Sequence, residues 1–184
     1  MAEQFPALTP ELKAFIAKQH VFFVASAMAE GRINLSPKGL DAFRVIDANT
    51  AAYLDLTGSG AETAAHLRAD GRLTIMMCAF EGPPRILRLY GRGVSLTRGT
   101  DDYAALLRDH WANEETVGAR QIVRLDIDMV QTSCGYAVPN FTYQGERPSL
   151  INWAEAKGEE GLRAYRAEKN RFSLDGAPTG LGGE

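Results

Sequence analysis

Two long strand-like runs of the chain, Leu73 to Phe80 and Ile86 to Leu96, are separated only by Glu81-Gly-Pro-Pro84 and Arg85. A parallel strand pair needs a crossover of a dozen or more residues, usually a helix. These two strands must therefore lie antiparallel, and the rest of the chain has to be fitted around that hairpin. Val21 to Ala27, Arg32 to Ser36, Phe43 to Ile46, Ala51 to Leu56 and Gln121 to Ser133 also read as strands, with a register break expected near Arg124. Helices are expected from Thr9 or Pro10 to Gln19, from Glu62 to Ala69, from Asp101 to Trp111, from Leu150 to Lys157 and from Glu160 to Lys169. Many short strands with few interleaved helices indicate a mainly β protein, an antiparallel barrel with flanking helices.

At 184 residues, 45% hydrophobic and 23% charged, the chain is ordinary globular material for one domain. That domain is placed at residues 1–175, with the glycine-rich residues 176–184 as a flexible tail. A net charge of −3 and the absence of a basic cluster argue against a nucleic acid or anionic membrane partner. Without a basic, apolar leader or a membrane-length apolar run, a cytoplasmic location is expected. Cys78 and Cys134 are too few and too distant for a disulfide framework, and His20, His66 and His110 are too scattered for a metal site. His66 alone stands near a candidate site, one turn after Glu62 and Thr63. Trp111 and Trp153 read as core aromatics on amphipathic helices, and the pair Asp126 and Asp128 as a solvated strand face.

Two stretches carry the chemistry. Asn34-Leu-Ser-Pro-Lys-Gly39 and Leu56-Thr-Gly-Ser-Gly-Ala-Glu-Thr63 each end a strand-like run with hydroxyls, glycines or a lysine. Gly58 and Gly60 permit a tight turn with amide groups facing an anion, and a helix starting near Ala61 adds its positive end. Lys38 supplies a full positive charge. If the two stretches converge, the chain binds a phosphorylated cofactor. A dinucleotide fingerprint at Gly58-Ser-Gly60 with Glu81 as its distal acid is the main rival, but Thr63 stands at the third glycine position and no helical crossover follows the second strand. No Gly-Lys-Ser/Thr follows the glycines, which rules out a Walker A loop.

Ile33 to Gly39, Tyr53 to Gly60, Cys78 to Arg88 and Gln131-Thr-Ser-Cys-Gly135 together resemble the pyridoxamine 5′-phosphate oxidase-like family of FMN-binding split barrels, over residues 10 to 170. The resemblance implies a six-stranded antiparallel Greek-key split barrel, a homodimer, and FMN at each subunit interface, with hydride transfer through flavin N5. It places Asn34, Ser36, Lys38, Thr57, Gly58, Ser59, Gly60, Glu62, Thr63, Arg88, Ser133 and Cys134 at the cofactor. Arg85 and Arg88, three apart on a strand, point to opposite faces, so at most one serves it. No catalytic acid or base emerges. The family's ring-contacting glutamine is replaced by Ile86, and its substrate-gripping C-terminal arginine signature is absent from Arg171-Phe-Ser-Leu-Asp-Gly176. The expectation is therefore a flavin oxidoreductase acting on something other than pyridoxamine phosphate. The alternative is a non-catalytic protein that binds, senses or stores flavin, deazaflavin or haem.

Overall fold

A computed structural model of the chain describes residues 2–183. In chain order its elements are β1 (Glu3–Phe5), α1 (Pro10–Ile16), β2 (Phe22–Ser26), β3 (Asn34–Lys38), β4 (Phe43–Val45), β5 (Thr50–Leu56), α2 (Glu62–Ala69), β6 (Arg72–Cys78), β7 (Ile86–Thr97), α3 (Asp101–His110), β8 (Ala119–Ser133) and α4 (Ser149–Lys169). The strands form one sheet in the order β3-β2-β6-β7-β8-β5-β4, with β1 added along β8 and every pairing antiparallel. The sheet has eight strands where six were expected. Seven of the eight match strands read from the sequence, β4 among them; β1, a three-residue edge piece too short to show an alternating pattern, does not.

β3 and β4 stand at opposite ends of the strand order, yet only residues 39–42 join them. A chain that short spans roughly 18 Å when fully extended. The sheet must therefore curl until its two edges nearly meet, which makes it a split barrel. The link is itself contorted: Leu40 and Asp41 have φ of 60° and 50°, a left-handed conformation unusual for a bulky side chain. Ala42 receives the amide of Leu54 on its carbonyl, so the link lies against β5.

Burial explains both the curl and the flanking helices. One cluster, including Phe22, Val24, Tyr53, Ile75, Leu89 and Leu125, fills the barrel interior under α1. A second, with Leu54, Ile122, Tyr103, Leu107 and Trp111, lies between the outer sheet face and α3. Ile122 and Val123 are both fully buried for this reason, one in each cluster. The parity change read as a register break near Arg124 is thus two-sided burial, and Arg124 pairs regularly with both Ala52 and Val94. The true irregularities lie elsewhere on β8. Against β5, Asp55 faces Gln121 and Leu56 faces Ala119, leaving Arg120 as the extra residue of a bulge. Against β7, Tyr90 faces Met129 and Gly91 faces Ile127, leaving out Asp128. Gly91 has to be glycine, because a Cβ there would sit 2.0 Å from the carbonyl oxygen of Asp126.

The C-terminal half of the last helix was expected to be a separate helix, and Gly158 (φ 65°, ψ 172°) does break α4 into two. The residues beyond it differ from expectation. Instead of trailing as a loose tail, 176–183 pack back on the domain: Leu181 joins Ala61 and Ala64 in a small apolar cluster, and the buried Thr179 hydroxyl donates to the Asn170 carbonyl. Arg32 forms an ion pair with Asp175 that ties this segment to the start of β3.

Candidate functional site

The split between β3 and β5 holds a cavity of about 420 Å3, within the ~300–1,000 Å3 range of small-molecule sites. Asn34, Ser36 and Lys38 line it from β3, and Gly58, Ser59, Gly60, Glu62 and Thr63 line it from the loop and the first turn of α2. The two distant stretches therefore share one pocket within a single chain, with Asp55, Arg120 and Gln121 on its floor. Gly39, Leu40 and Leu150 also border a larger groove of about 1370 Å3, which runs along α1, the 79–85 turn and residues 141–147.

The loop presents amides. The residue capping α2 is Ala61, which has no side chain to accept from the first turn, whereas Thr9 and Thr100 cap α1 and α3. Among the described residues, no acceptor takes the N–H groups of Ser59, Gly60, Ala61, Glu62 or Thr63. Neither Gly58 nor Gly60 has a left-handed φ, so the turn does not demand glycine. What the glycines provide is room: a Cβ built on either meets nothing within 4 Å. An anion can approach this backbone closely, at the positive end of a helix dipole.

Lys38 is not a lone cation. Its Nζ lies 2.8 Å from Oδ1 of Asp55, whose other oxygen accepts from Arg120 Nε and Gln121 Nε2, each at 2.8 Å. The bulge at Arg120 makes this possible by turning two consecutive β8 residues onto one carboxylate. Burial by itself would raise the Asp55 pKa. The Arg120 and Lys38 charges, with the hydrogen bonds from Lys38 and Gln121, outweigh it and hold the carboxyl well below the usual range. Two cations against one carboxylate leave the floor itself net positive, while Glu62 at the cavity border balances the charge of the lining as a whole.

A second polar chain backs the β3 wall. Asn34 Nδ2 donates to Thr63 Oγ1 at 3.1 Å and reaches Ser26 Oγ at 3.4 Å, and Ser26 Oγ lies 3.0 Å from His66 Nδ1. His66 is buried, and its Nε2 has no hydrogen-bond partner among the described residues.

Five of the expected site residues behave differently. Thr57 does not line the cavity: its hydroxyl donates to the Gly118 carbonyl and accepts from Arg166 Nη1, which latches the loop to α4. Arg88, Ser133 and Cys134 lie off the cavity at the far end of the β7–β8 ladder, where Arg88 Nη1 donates to Ser133 Oγ. Glu62 borders the cavity, but both carboxylate oxygens accept the amide of Leu174. Arg85 faces the larger groove, paired with Glu11 at 2.8 Å. Sequence reasoning missed Asp55, Arg120 and Gln121. An acid inside the apolar run Tyr53-Leu-Asp-Leu56 was the available signal, because a buried carboxylate requires partners.

Residues 8–134 match the family model described as pyridoxamine 5′-phosphate oxidase. The chain belongs to the pyridoxamine 5′-phosphate oxidase family. Among the family's members, the Aspergillus flavus protein ustO is 40% identical over 95% of this chain and 76% of its own length. Solved structures with the same fold include an FAD-binding protein from Mesorhizobium loti (TM-score 0.50, 13% identity, 72% of this chain and 98% of that one). Another is HutZ, the haem storage protein of Vibrio cholerae (TM-score 0.50, 17% identity, 70% of this chain and 97% of that one). The family match ends before α4, so the C-terminal segment packed behind the loop lies outside it.

Proposed function

We propose that this member of the family binds FMN, with the phosphate on the Gly58–Thr63 loop, and works as a cytoplasmic oxidoreductase. The observation that carries the reading is the junction of the Asn34–Gly39 and Gly58–Thr63 stretches in one cavity, at a helix start whose amides have no protein acceptor among the described residues. A phosphate dianion matches those donors, the open space beside both glycines and the net positive floor. Ser36, Ser59, Thr63 and Asn34 offer side-chain hydrogen bonds to the ester end and the ribityl hydroxyls. Lys38 screens the phosphate while remaining paired with Asp55. When bound, FMN supplies hydride transfer at its N5, and the protein contributes orientation and electrostatic environment.

The larger groove gives a second reactant access through the shared wall of Gly39, Leu40 and Leu150. Arg88, Ser133 and Cys134 find a role if two copies pair and these residues face the partner's cavity, a homodimer with isologous symmetry. The exposed Tyr136, Phe141 and Tyr143 supply apolar surface for such a contact. A cytoplasmic setting accords with two unpaired cysteines, one buried and one exposed.

The absorption spectrum of the purified protein, before and after titration with FMN, FAD or haemin, tests the reading. Flavin bands with saturable quenching of FMN fluorescence support it. A Soret band together with no FMN binding would assign the cavity to haem storage and overturn it. Oxidation of NADH or NADPH by the FMN-loaded protein then separates an enzyme from a carrier.

A further inference from the structure

Holding one peptide carbonyl fixes the direction of the next residue's N–H, because the two point oppositely across a trans peptide. The Gly58 carbonyl accepts from Asn170 Nδ2 at 3.0 Å, and the Gly60 carbonyl accepts from Arg120 Nη2 at 2.7 Å. The two donors are themselves joined, with Arg120 Nη1 donating to Asn170 Oδ1 at 2.9 Å. Both side chains are buried, at 3% and 0% exposure. The N–H groups of Ser59 and Ala61 are thereby aimed away from this pair, and both residues line the cavity.

We infer that Arg120 and Asn170 are positioning residues for the anion loop, and that the C-terminal segment after α4 is a working part of the cofactor site. The inference rests on the reading of the loop as a phosphate cradle. Further contacts run between the same two segments, the Leu174 amide to Glu62 and Leu181 against Ala61 and Ala64, and Arg166 of α4 holds Thr57 just before the loop. Loop order and C-terminal docking are therefore one equilibrium. A phosphate bound by the loop favours the docked segment, and a docked segment favours phosphate, by the same factor.

The test is to titrate the unmodified protein and Asn170→Ala with FMN and with riboflavin, which lacks the phosphate. In Asn170→Ala the FMN affinity is expected to fall about tenfold, while riboflavin affinity stays within about twofold of wild type. An equal loss for both flavins would show a merely structural residue and overturn the inference, as would unchanged FMN binding. Amide exchange on the wild-type protein provides a readout that does not depend on the variant folding. FMN, and not riboflavin, should slow exchange across residues 170–181, and identical exchange with either flavin counts against the coupling. A wild-type protein that binds both flavins equally overturns the phosphate cradle itself, and the inference with it.

Discussion

Lys38 and Asp55 form an ion pair, Nζ to Oδ1 at 2.8 Å, across the split of the barrel, with the lysine side chain 26% exposed and the aspartate 3%. The pair joins the β3 edge strand to β5, two strands that share no ladder. It therefore serves stability as well as the charge of the site. Replacing Lys38 by Met is expected to lower stability by about 1–3 kcal/mol, since Asp55 keeps Arg120 and Gln121 but loses one charged donor. Urea unfolding of Lys38→Met, Asp55→Asn and the double variant is expected to show coupling of about 0.5–3 kcal/mol. Additive effects would mean the pair contributes nothing. Because its charge is shared with Asp55, Lys38 should also matter less to FMN than the ~1.5–3 kcal/mol of an undivided charged hydrogen bond.

The depressed pKa of Asp55 gives this network a pH signature. As pH falls, the unfolded chain protonates at Asp55 before the folded protein does. The contribution is thus complete above the ordinary carboxylate pKa of about 3.9 and is lost as pH drops from there toward the folded value. The difference in melting temperature between wild type and Asp55→Asn is expected to be flat from about pH 5 to 8, and to narrow in stronger acid. A difference that already shrinks between neutrality and pH 6 would show that the cations do not hold Asp55 ionised.

Gly60→Ala separates folding from binding. A methyl there meets nothing within 4 Å and the backbone is not left-handed, so the fold accepts it. Lower entropy of the unfolded chain should even raise stability by about 0.4–1 kcal/mol. The same methyl narrows the approach to the loop, so FMN affinity should fall while the melting temperature holds or rises. Unchanged FMN binding would move the phosphate elsewhere.

Much of this arrangement was legible in the sequence where the signal was local. The Gly-Pro-Pro turn forced the β6–β7 hairpin, Gly158 divided the last helix, and hydroxyl and glycine content marked both walls of the cavity. Partners chosen across the fold were not legible. Nothing near Lys38 announces Asp55, and Arg120 meets Asp55 only because a bulge shifts β8 by one residue. The parity change near Arg124 pointed to the wrong place because Ile122 is buried by α3 on the outer face. The C-terminal glycines resembled a tail, yet Gly182 passes so close to α4 that a Cβ would lie 2.7 Å from the Arg166 carbonyl oxygen. Composition alone cannot distinguish glycine used for flexibility from glycine used for close approach.

Leu181 tests that last correction. It is 3% exposed against Ala61 and Ala64, and Leu181→Ala is expected to cost about 2 kcal/mol, the low end for a buried leucine because the cluster is small. A thermal melt indistinguishable from wild type would return the segment to a loose tail.

The most direct measurement is equilibrium titration of the unmodified protein with FMN and riboflavin under one buffer condition. The amides of Ser59 to Thr63, the space beside Gly58 and Gly60 and the Lys38–Asp55–Arg120 floor all address the phosphate. FMN should therefore bind at least about a hundredfold more tightly, corresponding to roughly two charge-assisted hydrogen bonds. Equal affinities for the two flavins would contradict the phosphate cradle on which this function rests.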